Sequence, residues 1–132
     1  MKEEVLKTIK KYNLIESGDK LVLGVSGGPD SISMLNVLRE IAEDETIDLK
    51  FQIVVSHINH NIRKEAKEDE EFVKKYCDEN NIKFFSKSID VEKIANNSKI
   101  GIEEAGRKVR YEFFDEVLKE TNSNKIAIAQ KW

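Results

Sequence analysis

The stretch KLVLGVSGGPDSISML, residues 20–35, decides the fold. Lys20 through Val25 is almost continuously apolar, which marks a short strand buried on both faces. Ser26, Gly27, Gly28, Pro29, Asp30 and Ser31 then form a run of turn residues. From Ile32 onward apolar residues return at helical spacing, through Leu35, Leu38, Ile41 and Ala42. A buried strand that passes through a tight loop into an amphipathic helix is the opening half of a parallel crossover unit.

Outward from that core, the pattern repeats. Upstream, Val5, Leu6, Ile9 and Tyr12 share one helical face before Gly18 and Asp19 break the pattern. Downstream, residues 51–56 (FQIVVS) read as a second buried strand, and a polar stretch leads to a helix carrying Phe72, Val73, Tyr76 and Cys77. Residues 83–89 (KFFSKSI) read as a third, less apolar strand, and residues 91–97 as a brief helix. The longest helix spans 102–120, with Ile102, Ala105, Val109, Phe113, Phe114, Val117 and Leu118 as its apolar stripe. Residues 125–129 (KIAIA) form a fourth strand. This alternation predicts an α/β fold, a Rossmann-like parallel sheet with helices on both faces. In such sheets ligands sit beyond the carboxyl ends of the strands. The candidate site loops are therefore 26–31, 57–67, the region after Ile89, and whatever follows Ala129.

With 132 residues, 39% of them hydrophobic, the chain suits one domain with one core. Lys plus Arg number 22 and Asp plus Glu 25, a net charge of -3 that gives no global attraction to nucleic acid or anionic lipid. The lone cysteine, Cys77, excludes an intrachain disulfide and any CxxC site, and its place in an apolar stripe marks it as core. No apolar run approaches the ~20 residues that span a bilayer, and the first 20 residues lack a signal-peptide core. A soluble, cytoplasmic chain with no membrane partner is expected. An exposed sheet edge leaves a homodimer open.

The 26–31 loop carries the sharpest chemistry. Adjacent glycines permit positive φ and let backbone approach a ligand, and Pro29 suits the first helical turn. Backbone N–H groups and the helix dipole converge there, with the Ser26 and Ser31 hydroxyls added, which makes a phosphate cradle. Asp30 beside phosphate makes sense as a holder of hydrated Mg²⁺ or of a substrate amine. The loop is neither of two commoner nucleotide motifs, lacking the lysine of G-x-x-x-x-G-K-[ST] and the spacing of G-x-G-x-x-G. After the second strand, His57 and His60 lack the further ligands of a zinc site, and His57 and Asn59 are expected to satisfy buried backbone groups at the strand end. The charged run from Lys64 to Glu71 reads as a solvated helix start. On the long helix, Arg107 and Arg110 share a face; pairing with Glu103 or Glu104 is the plain alternative to a ligand role. Tyr111 suits either core or site, Gly106 close helix packing.

SGGPDS resembles the S-G-G-x-D-S loop of the N-type ATP pyrophosphatases (PP-loop superfamily), which cleave ATP between its α- and β-phosphates. Within that group, SHINHNIRKEAKEDEEFVKKYC and GIEEAGRKVRYEFFDEV are similar to the tRNA(Ile)-lysidine synthetases, and the resemblance covers essentially the whole chain. It implies an adenine nucleotide alpha hydrolase-like fold and an ATP-pyrophosphatase domain over residues 1–132. It implies a ligase that uses ATP and Mg²⁺ to join free lysine to the wobble cytidine of tRNA(Ile). By that resemblance Ser26, Gly27, Gly28, Pro29, Asp30 and Ser31 hold the nucleotide, and Asp30 positions the metal. Backbone near Ile58 meets adenine, and Arg63 faces phosphate or tRNA. Arg107 and Arg110 steady the phosphates, because guanidinium contacts phosphate oxygens in pairs.

The family continues its last strand into A-H-x-x-D-D-x-x-E-T, where this chain reads Ala129-Gln130-Lys131-Trp132. The expectation is a domain incomplete after its fourth strand, which binds ATP without turning it over. Two rival readings are a non-catalytic adenine-nucleotide module and another enzyme of the same superfamily such as a tRNA thiolase. Thiolases depend on cysteines or an iron–sulfur cluster, which sets them apart from a chain whose one cysteine is core.

Overall fold

A computed structural model describes residues 2–59 and 64–128. Its elements run in chain order as α1 (Lys2–Tyr12), β1 (Lys20–Gly24), α2 (Pro29–Glu43), β2 (Gln52–Asn59), α3 (Lys64–Glu79), β3 (Lys83–Ser88), α4 (Val91–Ser98), α5 (Ile102–Thr121) and β4 (Lys125–Ile128). The four strands form one sheet in the order β3-β2-β1-β4, every pair parallel. The predicted architecture is the observed one.

Strand alternation divides the core. Leu21 and Leu23 of β1, Val55 of β2 and Phe84 of β3 turn to the face covered by α1, α2 and α3, where Ile9, Leu35, Ile41, Val73 and Cys77 pack. Val22 and Val54 turn to the opposite face, against Phe113, Phe114 and Val117 of α5. Beyond them Ala95 of α4 packs with Ala105 and Val109 of α5, and buried Gly106 lies in the same stretch of α5. Gly24 is where the second face is tightest. A Cβ there would lie 2.5 Å from Phe114 Cζ, so the ring rests directly on the end of β1.

The chain steps from β1 to β2 to β3 in one direction, then returns through α4 and α5 to place β4 on the far side of β1. The reversal falls at β1, so the crevice above the carboxyl end of β1 is the switch point where such sheets bind ligands. The opposite end is tied shut. Asp19 is buried and accepts from the Glu16 amide at 2.7 Å and from Asn124 Nδ2 at 2.9 Å, with Lys125 Nζ at 2.6 Å. Lys20 adds bonds from its amide to Asn124 Oδ1 at 2.7 Å and from Nζ to the Thr121 carbonyl at 2.8 Å.

Several expectations are corrected. Strand β2 runs three residues past the predicted end, so His57, Ile58 and Asn59 belong to it rather than to a loop. The cause is pairing: Ile58 and Asn59 find partners in Lys87 and Ser88 of β3. Ile102 and Phe72 sit on apolar stripes in the sequence yet are exposed, as is Tyr12. Ile102 is the first residue of α5. Tyr111 is exposed too, its ring T-shaped to that of Phe114. Among the described residues no helix is long and apolar enough to cross a membrane.

Candidate functional site

The 26–31 loop closes on itself through its serines. The Ser26 hydroxyl donates to Ser31 Oγ at 3.0 Å and accepts from the Gly28 amide at 3.3 Å. Ser31 Oγ accepts from the Gly27 amide at 3.1 Å and donates to the Gly28 carbonyl at 3.0 Å. Within the loop both hydroxyls therefore serve as braces, not as free donors aimed outward. Ser31 is fully buried. Gly27 takes φ +94°, a value that favours glycine strongly, and a Cβ there would lie 2.8 Å from Asp69 Cβ on α3. Asp69 is half-buried against the loop, which corrects its reading as part of a solvated helix start. No local pattern marks that contact, since the two residues are 42 positions apart in sequence.

Gly28 is the N-cap of α2 with no side-chain cap bond, and Pro29 opens the helix. The first bond of the turn runs from the Ile32 amide to the Gly28 carbonyl at 3.1 Å. The Asp30 and Ser31 amides precede it, so both are left without an intrahelical acceptor at the positive end of the helix dipole. Those donors, on a loop held open by glycine, suit an anion with several oxygens. Asp30 is exposed, and no hydrogen bond or ion pair among the described residues engages its side chain. Among those residues no group of three His, Cys, Asp or Glu could hold a metal alone. One free carboxylate beside a phosphate cradle nonetheless fits Mg²⁺, which takes one or two carboxylates, substrate phosphates and water.

Helix α5 brings its arginines to the same end. Phe114 rests on Gly24, and Arg110 and Arg107 stand four and seven residues earlier on the same helical face. At ~1.5 Å per residue they stand roughly 6 and 10 Å further along α5 toward its amino end. Arg110 is half-buried and Arg107 exposed, and neither forms an ion pair with Glu103, Glu104 or any other described carboxylate. The plain alternative of helix-surface pairing is thus not what the structure contains. Ile58 is half-buried between the α5 face and α4, at the same end of the sheet. His57 is buried and donates from Nδ1 to the Val25 carbonyl at 2.8 Å. His60, Arg63, Gln130, Lys131 and Trp132 lie outside the described residues.

Cys77 is buried between α3 and the sheet, and burial pushes its thiol up to about 12, so it is a core residue without thiolate chemistry. At the tied end the Asp19 carboxylate is held well below its ordinary range. The Glu16 amide, Lys125 and Asn124 hold it down at about 2.

Comparison with known proteins agrees with this geometry. The PP-loop domain matches residues 1–132. A tRNA(Ile)-lysidine synthase of Clostridioides difficile is 47% identical over 127 residues, which cover 96% of this chain and 27% of that protein. One from Petrotoga mobilis is 44% identical over 127 residues, covering 96% of this chain and 40% of its own length. The chain thus spans well under half of these curated relatives. Among solved structures, the U34-tRNA thiolase NcsA from Methanococcus maripaludis with its [4Fe-4S] cluster superposes with a TM-score of 0.76. It is 21% identical, over 97% of this chain and 43% of that one, a likeness of fold alone. With the strand–loop–helix cradle at the switch point and a family match over its whole length, the chain belongs to the PP-loop domain family.

Proposed function

We propose that residues 1–132 form an ATP-pyrophosphatase domain that binds MgATP at the 26–31 loop, and that it serves a tRNA(Ile)-lysidine synthase. The observation that carries this reading is the loop itself: Gly27 is held at positive φ against α3, and the first-turn amides of α2 are unfilled at the switch point. The lysidine synthase relatives, at 44–47% identity over nearly all of this chain, supply the reaction.

In that reaction ATP adenylates the C2 oxygen of the wobble cytidine of tRNA(Ile) with release of pyrophosphate, and the amine of free lysine then displaces AMP. The Asp30 and Ser31 amides with Gly27 and Gly28 hold the pyrophosphate portion, fixed donors where charge develops. Ser26 and Ser31 keep that loop in shape. Asp30 holds Mg²⁺, which neutralises phosphate charge. Arg107 and Arg110, without carboxylate partners among the described residues, serve the phosphates, while Ile58 backbone borders the adenine; Arg63, by the family resemblance, serves phosphate or tRNA. A thiolase reading has only the shared fold behind it, and Cys77, buried and protonated, offers this chain no sulfur chemistry.

Calorimetric titration of the chain with MgATP, repeated with Gly27→Asp, tests the binding step. Saturable binding abolished by the substitution is the expected result. No binding by a folded wild-type chain would overturn the assignment of the loop. Pyrophosphate release on adding tRNA(Ile) and lysine separates the ligase reading from a non-catalytic nucleotide module.

A further inference from the structure

At the end of β1 the ladder changes partner. Val25 N–H donates to the Ser56 carbonyl at 3.0 Å, continuing the β1–β2 register past Gly24 and Ser56. In a regular parallel ladder the next rung would run from the Ile58 amide to the Val25 carbonyl. Here that carbonyl takes the imidazole of His57 at 2.8 Å instead, and no backbone bond joins Ile58 to Val25. Ile58 N–H and C=O lie on the β1 side of β2, because Ser56 and Ile58 share that direction. They are therefore left facing the space above β1.

We propose that His57 is a positioning residue for the nucleotide site: its Nδ1–H replaces the last rung, fixes the Val25–Ser26 peptide and leaves the Ile58 backbone groups open. The Val25 carbonyl and the Ser26 amide belong to one trans peptide, so holding the first toward His57 aims the second the opposite way. Ser26 is the first residue of the loop. The proposal rests on the reading of that loop as an ATP cradle.

The chemistry of the ring supports a specific role over simple filling. A carbonyl only accepts, so Nδ1 carries the proton of that bond. Nε2 is buried and has no partner among the described residues. An unpaired buried polar atom is a standing cost. A leucine of similar bulk would remove that cost and pack equally well against Phe84, whose ring lies 6.4 Å away. What leucine lacks is the donor to Val25.

The test uses the whole chain and two substitutions. Asparagine places its Nδ2 close to the position of Nδ1, whereas leucine has no donor. His57→Asn is expected to bind MgATP within about threefold of wild type, and His57→Leu about tenfold more weakly or worse, with the Ser26 amide resonance displaced only in the latter. His57→Gln, whose donor reaches the Nε2 position, should follow leucine and stands in if that variant does not fold. Nitrogen-15 spectra of wild type should show a proton on Nδ1 of His57. A bare Nδ1, or equal MgATP affinities for the Leu and Asn variants, would overturn the proposal. If wild type binds no MgATP, the ATP reading falls, and the Nδ1 proton and the Ser26 resonance alone decide the role of His57.

Discussion

Two neighbouring glycines should respond to alanine in opposite ways. At Gly27 the backbone sits at φ +94°, beyond the left-handed helical region, and a methyl group would lie 2.8 Å from Asp69 Cβ. Strain of that kind costs about 1–3 kcal/mol, and forcing a methyl into a packed contact costs a similar amount. Alanine gives back roughly 0.4–1 kcal/mol by restricting the unfolded chain. The net expectation for Gly27→Ala is a loss of about 2–4 kcal/mol, large beside a typical total of ~5–15. Gly28 has φ −73° and ψ 165°, and its methyl would meet only Ser26 Oγ at 3.6 Å. Gly28→Ala is therefore expected to leave stability unchanged or raise it slightly. Urea unfolding followed by circular dichroism reads both; at ~1–3 kcal/mol per molar, Gly27→Ala should lower the midpoint by about 1–2 M. Adding Asp69→Gly to Gly27→Ala removes the contact but not the φ strain, so the coupling between the two isolates the contact. Equal midpoints for the two alanine variants would refute the loop conformation on which the site is built.

Gly24→Ala should cost about 1–3 kcal/mol by pressing a methyl onto Phe114, and Phe114→Leu in the same chain should recover part of it, a positive coupling in a double-mutant cycle. Asp19 titrates at about 2 in the folded state against 3.8 for the free group. Its contribution is thus present above pH 4 and lost as pH falls from about 4 through 2. Asp44, bonded by Lys2 and Thr46, is shifted the same way, so the difference between wild type and Asp19→Asn across that window is the readout, and it should shrink toward pH 2. Cys77 should resist thiol reagents at pH 8 until urea unfolds the chain; rapid modification of native protein would contradict its burial.

Periodicity was enough for the sheet and its helices because the two central strands are short apolar runs and each long helix carries a stripe. It failed where pairing, not hydrophobicity, extends an element. His57, Ile58 and Asn59 look like loop residues, yet β3 pairs with all three. It failed again for Ile102 and Phe72, whose spacing is right but whose side chains are exposed. The cradle was legible, since glycines and a proline between strand and helix constrain the backbone locally. The contact of Asp69 with Gly27 and the tie of Asp19 to Asn124 and Lys125 were not, because they join residues far apart in sequence.

The distribution of unsatisfied polar groups argues for the site independently of any family pattern. At the amino-terminal end of β1 and β4, Asp19, Lys20, Asn124 and Lys125 are cross-bonded, and each bond lies between 2.6 and 2.9 Å. At the carboxyl end the reverse holds. Ser56 Oγ and His57 Nε2 are buried without partners among the described residues. The Asp30 and Ser31 amides lack helical acceptors, and Arg107 and Arg110 have no carboxylate partner among the described residues. Folding alone gives no reason to place these costs together, because any of them could be relieved by a local substitution. A ligand rich in anionic oxygen, bound above β1, gives each donor and cation at that end a partner.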